Sequence, residues 1–313
     1  MPALTDRLRS LVTERRSRAE PTSDMVALAE EIAANPRTVT VDDGREIGYA
    51  EVGDPDGTPL FVFHGFPNSR VFGAIFDEVG RERGVRVVAP ERPGFGVSTP
   101  DPDRELTDWP ADLEAVADEL DIESFSVLGI SGGGPYAAVS AALLPDRVER
   151  AGIACGVGPM ASVGVRDRLW YYAARFTPPV SKLALWALGK RAEDRESFLE
   201  EMADSAAPAD EELWRGEIGQ TIHASMLESR RHHGLDPLVK ETAIYGSPWG
   251  FDLDDIEVPV YLWYGKADVL VPPEMGLYLA GEIPTAETHV YPDLDHLSIV
   301  DENETEIVES LTR

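Results

Sequence analysis

The stretch Gly129-Ile130-Ser131-Gly132-Gly133 constrains this chain more than any other. The apolar run Phe125-Ser126-Val127-Leu128 precedes it, and Gly134, Pro135 and an alanine-rich segment follow. That order reads as strand, sharp turn, helix. A serine at the apex of such a turn is forced out of the sheet, with its hydroxyl presented above it. Gly129 and Gly133 fit the turn because a Cβ at either position would crowd it.

The rest of the chain supplies a sheet for that strand. Thr38-Val39-Thr40-Val41, a turn at Asp43-Gly44 and the run Ile47 to Val52 predict a hairpin. Leu60-Phe61-Val62-Phe63 is a continuous apolar run, as expected of a strand buried on both faces. A helix over Phe72 to Val79, a strand over Val85 to Ala89 and a helix over Trp109 to Leu120 come next. The Ser131 strand and its helix follow, then a strand over Arg150 to Cys155. Such alternation predicts a doubly wound, mostly parallel sheet. It stops between about Gly156 and Tyr245, where helix-like runs (170–176, 183–188, 198–202 and 213–227) replace strands. It resumes with Val258 to Tyr264, Met275 to Ala280, Thr288 to Tyr291 and a last helix up to Leu311. The expected organisation is a helical leader over 1–36, a discontinuous core over 37–155 and 250–313, and a helical cap over 156–249.

Composition narrows the classes. The 43% hydrophobic content is ample for a core, so the net charge of −29 belongs mainly to the surface. A protein of that sign repels nucleic acid and anionic membranes, and neither is expected as a partner. Lysine occurs only at 182, 190, 240 and 266, and an acidic, lysine-poor surface suits a halophilic protein whose self-repulsion is screened by concentrated salt. The lone Cys155 offers no intrachain disulfide and no metal cluster. No run of about 18 apolar residues exists. Met1 to Glu20 carry five arginines and no apolar signal core, so the expectation is a cytoplasmic protein, monomer or homodimer.

A serine nucleophile needs a base to take its proton, an acid to orient that base, and donors for the developing oxyanion. His296 follows the last strand and fits the base. His223, His232 and His233 lie in the helical block and His289 inside a strand, which suits that task less well. Gly265-Lys266-Ala267-Asp268 follows the Val260 to Tyr264 strand, making Asp268 the acid, and residues 154–158 hold no carboxylate that would compete. The N–H of Gly132, at a helix start, is one oxyanion donor. The loop His64-Gly65-Phe66-Pro67 offers the N–H of Phe66 as the other, with His64 pinning the loop.

With these residues in place, the chain resembles the α/β-hydrolase superfamily, in its capped branch of esterases, cofactor-free perhydrolases and iminopeptidases. The resemblance rests on His64 to Pro67, Arg92-Pro93-Gly94-Phe95-Gly96, Gly129 to Gly133, the Asp268 turn and His296, and it spans 37–313. It implies an eight-stranded, mostly parallel sheet under a cap. It also implies Ser131 as nucleophile, Asp268 as acid, His296 as base, and Phe66 and Gly132 as oxyanion donors, with no cofactor or metal. Two positions depart from the pattern. Glu91 stands where many relatives have Asp, an expected structural change, and Asp295 stands where they often have glycine. Asp295 would raise the pKa of the base if it faced it, but a solvent-facing side chain is the simpler expectation.

Other readings compete. Gly94-Phe95-Gly96 and Gly156-Val157-Gly158 lack the third spaced glycine of a dinucleotide site. A serine elbow argues against dehalogenase and epoxide hydrolase chemistry. An iminopeptidase would need cap carboxylates for its substrate amine, and Glu200, Glu201, Glu212 and Glu217 keep it open. A non-catalytic sensor is the distant alternative, against which the full residue set argues. Trp170, Tyr171, Tyr172 and Trp186 could line an apolar pocket. Without a basic cluster in the cap, small uncharged carboxylic esters are the expected substrates.

Overall fold

Residues 24–162, 164 and 175–313 are described by the computed structural model of the chain. Helix α1 (Asp24–Ala34) leads into the hairpin β1 (Arg37–Thr40) and β2 (Glu46–Gly53). Strand β3 (Thr58–Phe63), a 3-10 segment (Arg70–Phe76), α2 (Asp77–Arg83) and β4 (Val85–Pro90) follow. Then come α3 (Trp109–Glu119), β5 (Phe125–Ile130), α4 (Gly134–Leu143) and β6 (Val148–Ala154). Between β6 and the next strand stand α5 (Pro178–Arg191), α6 (Arg195–Ser205), α7 (Pro208–Arg215), α8 (Glu217–Ser229) and α9 (Asp236–Tyr245). Strand β7 (Val260–Gly265), α10 (Pro273–Glu282), β8 (Ala286–Tyr291), α11 (Ser298–Asp301) and α12 (Glu304–Thr312) complete the chain.

The eight strands form one sheet in the order β1-β2-β4-β3-β5-β6-β7-β8. Pairings within β1-β2-β4 are antiparallel, and every pairing from β4 to β8 is parallel. Strand β3 shows why its sequence is apolar throughout. Phe61 and Phe63 join one core cluster with Trp109 and Tyr136, while Leu60 and Val62 join another with Phe72, Phe76 and Trp263. Alternate side chains thus point to opposite covered faces. From β3 the chain crosses to β4 on one side, and later enters β5 on the other. Ligands of such sheets bind where the order reverses, beyond the carboxyl ends of the strands. Ser131 follows β5 at that place.

Two runs read as single helices are divided. The segment over 72–79 is a 3-10 stretch followed by α2. It lies so close to the sheet that a Cβ on Gly73 would come within 2.8 Å of the Ala89 Cβ. The run over 213–227 breaks at Gly216, whose extended backbone ends α7 and starts α8. Of the leader, residues 1–23 lie outside the described part. Helix α1 packs Ala29 against Val71 and Ala74, and Ile32 supplies a carbonyl to Arg70 Nη2 at 3.1 Å. Among the described residues, no helix is long and apolar enough to cross a membrane.

Candidate active site

Strand β5 runs straight into Ser131, whose φ of +54° is a left-handed conformation rarely adopted by side-chain-bearing residues. Its neighbours must be glycine. A Cβ on Gly129 would lie 2.4 Å from the Gly133 carbonyl oxygen, and one on Gly133 would lie 2.2 Å from that of Phe63. The turn therefore packs backbone on backbone, and the strain is held by the sheet beneath it. The Ser131 carbonyl accepts the N–H of Val157 at 2.9 Å, tying the elbow to the segment after β6.

Asp268 and His296 meet at the ends of β7 and β8. Asp268 Oδ1 accepts the N–H groups of Leu270 and Val271, each at 2.8 Å, so the carboxylate is anchored by its own turn. Its Oδ2 lies 2.8 Å from His296 Nδ1, with both residues buried. A carboxylate can only accept, so Nδ1 carries the proton and, in the neutral ring, Nε2 keeps its lone pair. Burial opposes charging of this imidazole, the Cys155 sulfur and the Asp268 carboxylate favour it, and its pKa rises well above the ordinary value. Burial pushes the Cys155 thiol up, so at neutral pH the carboxylate is the effective partner. Cys155, Asp268 and His296 are metal-ligating side chains whose donor atoms lie within 4.8 Å of one another. Here the imidazole and the carboxylate already satisfy each other.

The loop after β3 faces the elbow. A Cβ built on Gly132 would lie 3.1 Å from the Phe66 nitrogen, and one on Gly65 would lie 3.3 Å from the Ser131 Cβ. Ser131, His296, Phe66, Gly132 and Gly65 all line one cavity of about 1220 Å³. His64 is buried, and its Nδ1 donates to the Gly65 carbonyl at 2.8 Å.

The model of the alpha/beta hydrolase fold family matches residues 58–303. The chain belongs to that family. It is 27% identical over 282 residues to a 2-hydroxymuconate semialdehyde hydrolase of Pseudomonas sp. strain CF600, covering 85% of this chain and 86% of that protein. Among solved structures, a hydrolase from Pseudomonas aeruginosa PA01 superposes with a TM-score of 0.67 at 20% identity, over 89% of this chain and 98% of that one. A bromoperoxidase from Bacillus anthracis gives 0.66 at 19% identity, over 88% and 99%.

Arg92 is legible in the sequence only as part of a loop motif, and nothing there singles out Glu241 or Tyr245. Arg92 donates to the carbonyls of His64 and Gly65, at 2.7 and 3.1 Å, and so holds the loop that presents Phe66. It is matched by Glu241 on α9, 3.0 Å away, which also pairs with Arg104 and accepts from the Tyr136 hydroxyl at 2.8 Å. One turn further along α9, the Tyr245 hydroxyl donates to the Gly132 carbonyl at 3.0 Å. The spacing Glu241–Tyr245 was the available signal, since both fall on one helix face.

Two expectations need correction. Trp186 does not line the cavity. It is 52% exposed, while its neighbours Leu185 and Leu188 on the other face of α5 face inward. Trp170, Tyr171 and Tyr172 lie outside the described residues. Asp295 does not face solvent either. It is buried, with Oδ2 accepting the Ala207 N–H at 2.7 Å and Oδ1 the Val269 N–H at 3.1 Å.

Proposed function

We propose that the protein is a serine hydrolase cleaving small uncharged carboxylic esters through an acyl-Ser131 intermediate. The observation that carries this reading is the buried His296–Asp268 hydrogen bond, on the same cavity as the strained Ser131 and the loop of Phe66. Ser131 Oγ attacks the ester carbonyl while His296 Nε2 takes its proton, and Asp268 stabilises the imidazolium. The N–H groups of Phe66 and Gly132 receive the oxyanion, whose charge builds only as the tetrahedral centre forms. The alcohol leaves with the proton from His296. Water then enters by the same route, releases the acid and restores Ser131.

The cavity walls bear on the substrate. Leu185, Leu188, Phe198, Met202, Trp214 and Met226 make them largely apolar. Its charged lining residues are acidic, among them Glu217, Asp301 and Glu304, apart from Arg81, which is paired with Asp77. An anionic substrate would meet like charge, with no free cation among the described residues that line the cavity. The compound in that relative's name, a muconate semialdehyde, bears a carboxylate, and this lining favours neutral esters over such a substrate.

One observation supports a second reading, cleavage of prolyl amides. Glu217 lines the cavity, whereas Glu200 and Glu201 are paired with Arg215 and Arg191. A fluorophosphonate probe and a substrate panel decide the matter. Labelling of wild type but not of Ser131→Ala, with turnover of p-nitrophenyl butyrate, is the expected result. Turnover of a prolyl anilide in place of esters would establish the second reading, and labelling that survives Ser131→Ala would remove both.

A further inference from the structure

Asp210 and Asp295 are both 1% exposed, and among the described residues neither forms an ion pair. A buried carboxylate without a cation is costly unless hydrogen-bond donors surround it. Each of these finds backbone donors across the seam between the helical block and the sheet. Asp210, in the first turn of α7, accepts the N–H of Leu297 at 2.6 Å and of Ser298 at 2.8 Å. These groups begin α11, directly after His296. Asp295, directly before His296, accepts the N–H of Ala207, which precedes α7. Two helix starts thus satisfy each other's unpaired N–H groups reciprocally. Asp295 also takes the N–H of Val269, next to Asp268. Ser298 Oγ accepts the Asp295 N–H at 2.9 Å and closes the loop on itself.

We propose that Asp210 and Asp295 form a reciprocal latch that holds the His296–Asp268 pair in register and makes that register depend on the position of segment 207–210. The inference rests on the reading of His296 as the base of a serine hydrolase. Neither carboxylate reaches the cavity, so both are positioning residues. Their action is geometric. The backbone on both sides of His296 is fixed, on one side through Asp295 and on the other through Leu297 and Ser298. The backbone after Asp268 is fixed to the same carboxylate. Loss of either clamp lets the imidazole pivot away from its partner while the apolar walls of the cavity stay in place. A misplacement on the order of 1 Å can lower a rate about 100-fold.

The test compares Asp210→Asn, Asp210→Ala, Asp295→Asn and the double variant Asp210→Asn/Asp295→Asn in the full chain. Asparagine keeps one acceptor and alanine none, so the expected fall in kcat on p-nitrophenyl butyrate is about 10-fold for Asp210→Asn and up to about 100-fold for Asp210→Ala. KM should move far less, because the walls are untouched. The double variant should lose less than the product of the single losses, since both act on one loop. The second readout needs no turnover: the downfield proton resonance of the His296 Nδ1–H···Asp268 bond should weaken or shift in each variant. If Asp210→Ala does not fold, Asp210→Asn and the resonance still decide. Wild-type kcat and an unmoved resonance in Asp210→Asn would overturn the latch. A wild type that resists the fluorophosphonate would instead remove the reading of Ser131, leaving the resonance to report on the latch alone.

Discussion

His64 and His296 are both buried, yet their surroundings push them in opposite directions. Burial and the nearby Arg92 guanidinium hold His64 well below its ordinary value, so it stays neutral and serves as a donor to the loop. At His296 burial acts the same way but is outweighed by its partners. In the base role proposed for it, His296 must be neutral to take a proton, so activity should fall as pH drops through this raised pKa. The acidic limb of kcat/KM should therefore lie above about 6.5, the ordinary imidazole value. In an Ser131→Ala background, an NMR titration of the imidazole should give the same raised value, and adding Asp268→Asn should bring it below the ordinary one, because burial then acts almost alone. A limb at or below the ordinary value would refute this assignment of charge. The meeting of Asp268 with His296, on the cavity that Ser131 lines, was legible in the sequence because each residue follows a strand and the chain order is distinctive. Asp295 was legible as an oddity and not as a contact. Its donors, Ala207 and Val269, are backbone groups, and any residue type but proline could have supplied them.

Among the elements, α9 does the most that its sequence does not announce. Its turn from Glu241 to Tyr245 touches both the loop of Phe66 and the turn of Ser131, through Arg92 and through the Gly132 carbonyl. Glu241 is fully buried with two guanidinium groups against it, and although burial opposes its charge, Arg92 and Arg104 hold its pKa below the ordinary carboxylate value. Removing it would leave Arg92 and Arg104 buried without a counter-charge. Breaking a buried pair on one side costs about 3–5 kcal/mol, so Glu241→Ala should lower the free energy of unfolding in urea by an amount in that range. Denaturation followed by fluorescence measures it, and a change under about 1 kcal/mol would show that water or a local shift compensates. The strands of the sheet could be read from apolar runs because periodicity is local. The Arg104–Glu241 pair spans 137 residues, and no local pattern encodes such a meeting. The same holds for the ends of helices. Gly216 divides a run whose apolar spacing is continuous, and its extended backbone becomes visible only in three dimensions.

At the scale of the whole molecule, 57 acidic against 28 basic side chains leave a net charge of −29 to be accommodated. Part of it is paired, as where Arg215 meets Glu200, Asp204 and Glu211 on the surface of the helical block. Exposed pairs of this kind contribute about 0–1 kcal/mol each and cannot offset the remainder. The unpaired charge leaves a local trace at the start of α12. There Glu304 is pushed up to about 7 by burial and by the carboxylates of Asp301, Glu78 and Glu82. Repulsion between surface charges reaches about 10 Å at 0.1 M salt and about 3 Å at 1 M. Raising KCl from the lower to the higher concentration should therefore relieve the folded state more than the expanded one, where the same charges are further apart. Tm is expected to climb over that interval, steeply at first and then more slowly as screening saturates. Screening also predicts that Glu304→Gln raises Tm at pH 8 by more in dilute buffer than in concentrated KCl, where only the cost of its burial is left to remove. An equal or higher Tm of the wild type in dilute buffer would mean that the acidic surface imposes no stability cost that salt can remove.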